Sequence, residues 1–158
     1  MISMICAIGK NREIGCDNKL LWDIPGDMRH FTETTREKIV IMGQKTYESL
    51  HIKPLPNRKN IVLTFDKDFQ APDCETSFDL EEIAKKYQNS NEEVFVIGGG
   101  AIYKQFLPYA QKLYLTIVDD APKADTFFPD YSEFTEIARG EKMEHNGLNY
   151  RFIELIRK

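Results

Sequence analysis

The sequence predicts an α/β protein: a mostly parallel sheet covered by helices on both faces and finished by antiparallel strands. Three stretches carry that prediction. Val94-Phe95-Val96-Ile97 is four apolar residues in a row, three of them β-branched, which fits a strand buried on both faces. Gly98, Gly99 and Gly100 follow, and then Ile102, Phe106 and Leu107 repeat at helical spacing until Pro108. The same succession of strand, glycine turn and helix recurs at Ile39 to Met42, Gly43, and a helix carrying Tyr47 and Leu50. Asn146-Gly147, between Phe134 to Glu144 and Asn149 to Ile156, has the chemistry of a tight hairpin turn, so the last strands run antiparallel.

At 158 residues, 42% hydrophobic and 29% charged, the chain has the size of one domain, 1–158, with enough apolar surface for a core. A net charge of −4 without basic blocks argues against nucleic acid and against an anionic membrane surface. The apolar run Met1 to Ile8 lacks a basic lead, and nothing reaches transmembrane length, so a cytoplasmic protein is expected. Cys6, Cys16 and Cys74 are odd in number and widely spaced. They read as free thiols, with no metal site.

In chain order, Ile2 to Ile8 forms a first, central strand. Gly9 to Lys19 is a long polar loop, either a lid over a site or a tolerated insertion. Pro25 starts a helix that runs to about Arg36, with Met28 and Phe31 as its only large apolar residues. Asp27 lies in its first turn, where the helix dipole favours an acid without any functional reason. Leu20, Leu21, Trp22, Ile24, Met28 and Phe31 are placed to wall it from water instead. A carboxylate so enclosed would have a raised pKa and would grip a planar N–H and NH2 edge.

Lys45 and Thr46 open the next helix and suit either a phosphate or an ordinary surface and cap. Arg58, held by Pro54 and Pro56, suits a bidentate clamp on a carboxylate and leads into a strand from Ile61 to Phe65. Asp79 and Glu82 mark the start of a scaffold helix through Leu80, Ile83, Ala84 and Tyr87. Leu113 to Val118 is a further two-sided strand in which Thr116 is the polar exception. His30, His51 and His145 form no triad, and no nucleophile motif occurs, which leaves Asp27 as the candidate for proton chemistry.

Taken together, the Gly15 loop, Leu20 to Met28, Val40-Ile41-Met42-Gly43-Gln44-Lys45-Thr46-Tyr47-Glu48-Ser49, Pro54-Leu55-Pro56-Asn57-Arg58, Val96 to Tyr103 and Asp125-Thr126-Phe127-Phe128-Pro129 resemble the dihydrofolate reductase family, in order and spacing, over nearly the whole chain. The resemblance implies a three-layer αβα sandwich. Its sheet would be an eight-stranded mixed one, mostly parallel with an antiparallel C-terminal strand, and about four helices would cover it. The implied reaction is reduction of dihydrofolate by hydride transfer from NADPH, by a monomer.

Asp27, Trp22 and Thr116 are the implied catalytic group. Substrate would touch Ile5, Ala7, Met28, Phe31, Leu50, Leu55, Arg58, Ile97, Tyr103 and Thr116. Cofactor would touch Ala7, Ile14, Gly15, Asn18, Lys19, Leu20, Gly43, Gln44, Lys45, Thr46, Leu63, Thr64, Ile97, Gly98, Gly99, Gly100, Ala101, Ile102 and Tyr103. In the family the glycine pair matching Gly98-Gly99 is joined by a cis peptide. Ala101 stands where some bacterial members have an arginine for the 2′-phosphate, which leaves that contact to Lys45 and Thr64.

Two rivals predict different behaviour. A same-fold pyrimidine reductase of riboflavin synthesis often shares its chain with a zinc deaminase, whose motifs are absent here. A non-catalytic nucleotide-binding module would bind cofactor without oxidising it.

Overall fold

A computed structural model describes residues 1–158. The strands are β1 (Ile2–Ile8), β2 (Glu13–Cys16), β3 (Lys19–Leu20), β4 (Ile39–Gly43), β5 (Lys59–Leu63), β6 (Glu75–Ser77), β7 (Val94–Gly98), β8 (Lys112–Val118), β9 (Thr126–Phe127), β10 (Phe134–Arg139), β11 (Met143–His145) and β12 (Leu148–Arg157). The helices are α1 (Pro25–Thr35), α2 (Gln44–Ser49), α3 (Leu80–Gln88) and α4 (Gly100–Phe106), with a 3₁₀ turn at Leu107–Tyr109 where Pro108 ends α4.

The main sheet runs β10-β12-β8-β1-β7-β4-β5-β6, and β11 also pairs with β12, so it has nine strands where eight were expected. The extra strand comes from the stretch Phe134 to Glu144, expected as one strand. It breaks at Gly140, and both pieces lie along β12. From β8 to β6 the pairings are parallel; β12 and its partners are antiparallel. Asn146 (φ 49°) and Gly147 (φ 82°) make the tight turn with both angles positive, as their side chains allow.

Alternate residues of the central strands face opposite layers. Met4, Ile41, Ile61 and Val96 join one buried cluster with Ile83 and Tyr87 of α3 and Phe106 of α4. Ile5, Val40, Met42, Val62 and Phe95 join another, with Tyr47 of α2 and Phe31 of α1 packed against it. This gives three layers, with α3 and α4 on one face and α1 and α2 on the other. α3 starts as the sequence predicts: Asp79 accepts a hydrogen bond from Glu82 N at 3.1 Å.

Two segments depart from the sequence reading. The polar loop after β1 is largely ordered as β2 and β3, joined through Asp17 (φ 52°) and Asn18 (φ 61°) and completed by β9 into a small three-stranded sheet. The strand expected from Ile61 to Phe65 ends at Leu63. Thr64 turns the chain there, its hydroxyl accepting from Asp66 N at 3.0 Å.

Candidate active site

Past Met4 the sheet splits. β1 pairs with β7 only from Ile2↔Val94 to Met4↔Val96, yet stays on β8 as far as Ile8↔Ile117. β7 follows β4 instead, with a register shift that sets Gly98 opposite Met42. The second half of β1, with Ile5 and Ala7, therefore diverges from Ile97 and Gly98. The Tyr103 hydroxyl spans the split and donates to the carbonyl of Ile5 at 2.7 Å. The crossovers through α1 and α4 leave on opposite faces, and an open α/β sheet binds ligands at such a point, beyond the carboxyl ends of its strands.

α1 delivers Asp27 to this groove. Pro25 presets the first turn, and Ile24 caps it without any side-chain hydrogen bond. Asp27 thus lies where the dipole favours an acid, but its carboxylate turns inward: Thr116 Oγ1 donates to Asp27 Oδ1 at 2.6 Å. Thr116 is itself buried and stands in register between Ala7 of β1 and Phe152 of β12. Burial pushes the Asp27 carboxyl above its ordinary pKa, while the Thr116 bond and the nearby His30 pull the other way. The enclosure is narrower than the sequence suggests. Ile24 is buried, but Leu20, on β3, and Met28 are 78% and 56% exposed and stand open to solvent.

Trp22 is not free to reach into the groove with its N–H. That group donates to Asp120 Oδ2 at 3.0 Å, while Asp120 O accepts from Lys10 N at 2.9 Å, so one residue beyond β8 ties down both ends of the lid segment. The indole packs with Ala7 against Ile24, Val118 and Tyr150. Within the lid Ile14 is buried, whereas Asn18 and Lys19 are exposed. Thr126 of β9 joins the lid to the glycine turn, because the absent Cβ of Gly100 leaves only the room its methyl needs.

The two strand–glycine–helix turns lie back to back. A Cβ on Gly43 would come to 3.0 Å from Ile102, and Gly43 rather than Thr46 precedes the first turn of α2. Gly98 (φ 139°) and Gly99 are joined by a cis peptide, as the resemblance implies, and Thr46 Oγ1 stands 3.2 Å from where a Gly98 Cβ would be. Three residues without side chains leave main-chain N–H groups at the start of α4 open to the groove. Lys45 and Ala101 are exposed beside them. Thr64, expected to face a phosphate, is buried, and its hydroxyl donates to Gln44 Oε1 and accepts from Asp66 N. Leu63 is buried with it. Tyr103 likewise lies mostly in the core, 4% exposed, with its ring against Phe128.

On the other wall, Phe31, Leu50 and Leu55 are partly buried around the cluster that contains Ile5, and Ile97 joins them. Arg58 is fixed at their end. Its Nε donates to Pro56 O at 2.9 Å and its Nη1 to Thr35 Oγ1 at 3.0 Å, and the guanidinium lies over the Phe31 ring at 5.9 Å. The Nη2 group makes no protein hydrogen bond. Asp120, Thr35 and Tyr150 went unnoticed in the sequence, and Thr126 was read only as part of the motif Asp125 to Pro129, since each acts on a residue far from it along the chain. Tyr150 places its hydroxyl where Gly26 lacks a Cβ, letting the start of α1 lie close on β12.

A surface cavity of about 1120 Å³ lies elsewhere. It lies at the amino ends of β4, β5 and β7 among Glu37, Lys38, Asn57, Lys59, Lys86 and Glu93, and of the expected site residues only Arg58 borders it. Its walls carry both signs of charge, without the apolar lining and convergent polar groups of a small-molecule site. The groove at the carboxyl edge has both.

Fold and site define an open α/β protein with a ligand groove at the split in its sheet and one sheltered carboxylate on its wall. Comparison with known proteins specifies the family. The dihydrofolate reductase family model matches residues 1–157. The chain is 40% identical to the dihydrofolate reductase of Staphylococcus haemolyticus over 155 residues, 96% of this chain and 92% of that one. It is 39% identical to that of Bacillus subtilis over 157 residues, 97% and 92% of the two chains. The structure of the Enterococcus faecalis dihydrofolate reductase complexed with NADP(H) and RAB-propyl superposes with a TM-score of 0.90 at 29% identity, covering 100% of this chain and 96% of that one. The chain belongs to the dihydrofolate reductase family.

Proposed function

We propose that this chain reduces 7,8-dihydrofolate to 5,6,7,8-tetrahydrofolate with NADPH, as a single domain acting as a monomer in the cytoplasm. The observation that carries the reading is the Asp27 carboxylate, held by Thr116 at the split between β1 and β7 with its pKa raised. No helix is long and apolar enough to cross a membrane.

The bond reduced is N5=C6 of the pterin: C6 gains a hydride and N5 a proton. NADPH supplies the hydride. The residues present fit such a cofactor, because the side-chain-free turn at Gly98 to Gly100 admits a flat ring and pyrophosphate close to the main chain, and Lys45 offers the cation beside them. The chain's own part is to orient and to polarise. The second oxygen of Asp27 accepts from the pterin ring N–H and 2-amino group, a paired, charge-assisted contact in a sheltered site. Its negative charge favours the cationic ring, so N5 takes its proton more readily from water before C6 accepts hydride. Ile5, Phe31 and Leu55 bury the pterin and benzoyl groups, and the free edge of Arg58 takes the glutamate α-carboxylate.

The test is to mix the protein with NADPH and dihydrofolate and follow the near-ultraviolet absorbance of the reduced nicotinamide. One NADPH is expected to be consumed per dihydrofolate. Binding of NADPH with no oxidation would overturn the reading in favour of a non-catalytic nucleotide module.

A further inference from the structure

His30 is half-buried, and its ring is stacked on Phe152 with centroids 4.0 Å apart and planes 20° from parallel. An aromatic pair of that kind is ordinary packing by itself. This one closes a loop around the acid of the site. Phe152 of β12 is the register partner of Thr116 on β8, and Thr116 donates to Asp27. Asp27 and His30 are three residues apart on α1, which makes them neighbours on one face of the helix. The loop returns to Phe152, whose ring also meets Tyr150 edge-on at 5.7 Å. The imidazole is therefore seated beside the carboxylate with little freedom to turn away.

The charges around this loop are few. Asp27 and Glu33 act on His30 from α1, and Glu154 from β12. Glu154 is paired with Lys112 of β8 at 2.7 Å, and its register partner Tyr114 stays protonated because burial raises its pKa. Burial lowers the His30 pKa while Asp27, Glu154 and Glu33 pull it up, so the ring is uncharged at neutral pH and gains its proton in acid solution. Beside Asp27, the Cys6 thiol and the Tyr103 hydroxyl also stay protonated, both raised by burial. His30 is the charged side chain that acts on the Asp27 carboxylate.

We infer that His30 is a positioning residue for the proposed reduction: seated on Phe152 one turn from Asp27, it places positive charge beside the carboxylate as pH falls and so keeps it ionised for the substrate. The inference rests on the proposed reading of Asp27 as the group that grips the pterin. Acid solution helps N5 gain its proton but threatens the charge on Asp27, and a cation that appears beside Asp27 in the same range delays that loss.

The experiment follows the Asp27 carboxyl carbon and the His30 ring by NMR across pH. It compares the parent with His30→Phe, which keeps the stack without a charge, His30→Gln and Asp27→Asn. The Asp27 midpoint is expected to move up in both His30 variants. Coupling is reciprocal, so the His30 midpoint should move down in Asp27→Asn, a reading that needs no His30 variant to fold. The dihydrofolate KM at about pH 5, divided by that at about pH 8, should be roughly threefold larger in the His30 variants than in the parent, the effect of unit charges about 6 Å apart in water. Midpoints that stay in place, or an unchanged KM ratio, in an enzyme that oxidises NADPH would overturn the role of His30 and leave the reductase reading intact. A parent protein that does not oxidise NADPH with dihydrofolate would overturn both.

Discussion

The hydroxyl of Thr116 donates to Asp27 across the groove at 2.6 Å, and it is the only side-chain hydrogen bond that Asp27 receives. The acid is thus oriented by a neighbour 89 residues away and keeps its other oxygen for a ligand. Asp27→Asn preserves the shape and the bond from Thr116 but removes the charge. Turnover near neutral pH is expected to fall by about 10² to 10⁴, with NADPH binding retained and the deficit shrinking toward acid pH, where N5 protonates unaided. Stopped-flow hydride transfer with a separate cofactor titration reads both.

The same carboxyl has a pKa raised in the folded state, so the fold binds its proton more tightly than the unfolded chain does. That contribution to stability is present below the unfolded pKa and is lost as pH rises through the folded one. At neutral pH the acid is therefore a cost. Asp27→Asn is expected to stabilise the protein at pH 7 by on the order of 1 kcal/mol, with the gain vanishing at low pH. Urea unfolding at several pH values measures it, and a loss of stability at neutral pH would contradict the burial argument.

Thr116→Val keeps the volume and deletes the donor. Because that bond is the largest influence holding the Asp27 pKa down, the apparent pKa of the hydride step should move up. The expected loss in turnover corresponds to about 1.5–3 kcal/mol, the usual worth of a hydrogen bond to a charged group.

Trp22 and Asp120 are expected to act as one fastening for the lid. Trp22→Phe and Asp120→Ala should each speed NADPH release, and the double variant should be little worse than either, with a coupling of about 1 kcal/mol in a double-mutant cycle. Additive effects would show that the bond does not hold the lid.

Arg58→Lys loses the planar fork and its seat on Thr35, Pro56 and Phe31. KM for dihydrofolate should rise about tenfold or more, while dihydropteroate, which lacks the glutamate, should be handled as by the parent. At the start of α1, Gly26→Ala puts a methyl against the Tyr150 hydroxyl and is expected to cost about 1–3 kcal/mol. Thermal melts should show partial rescue when Tyr150→Phe removes that hydroxyl.

The sequence by itself determined what depends on neighbours in the chain. Four apolar residues before three glycines read as a buried strand and a turn; Pro25 and Asp79 start helices, and Asn146-Gly147 reverses the chain, since these signals are matters of backbone angle and side-chain period. The family resemblance added the order of the parts. What only the tertiary structure decided are the meetings between distant residues: Thr116 with Asp27, Trp22 with Asp120, Tyr150 with Gly26, and the parting of β1 from β7 that opens the groove. Each depends on which strands become neighbours and in what register, and a one-residue slip would turn the strand residues Thr116 and Tyr150 to the opposite face. For the same reason Thr64, polar and well placed in sequence, proved to be committed to Gln44.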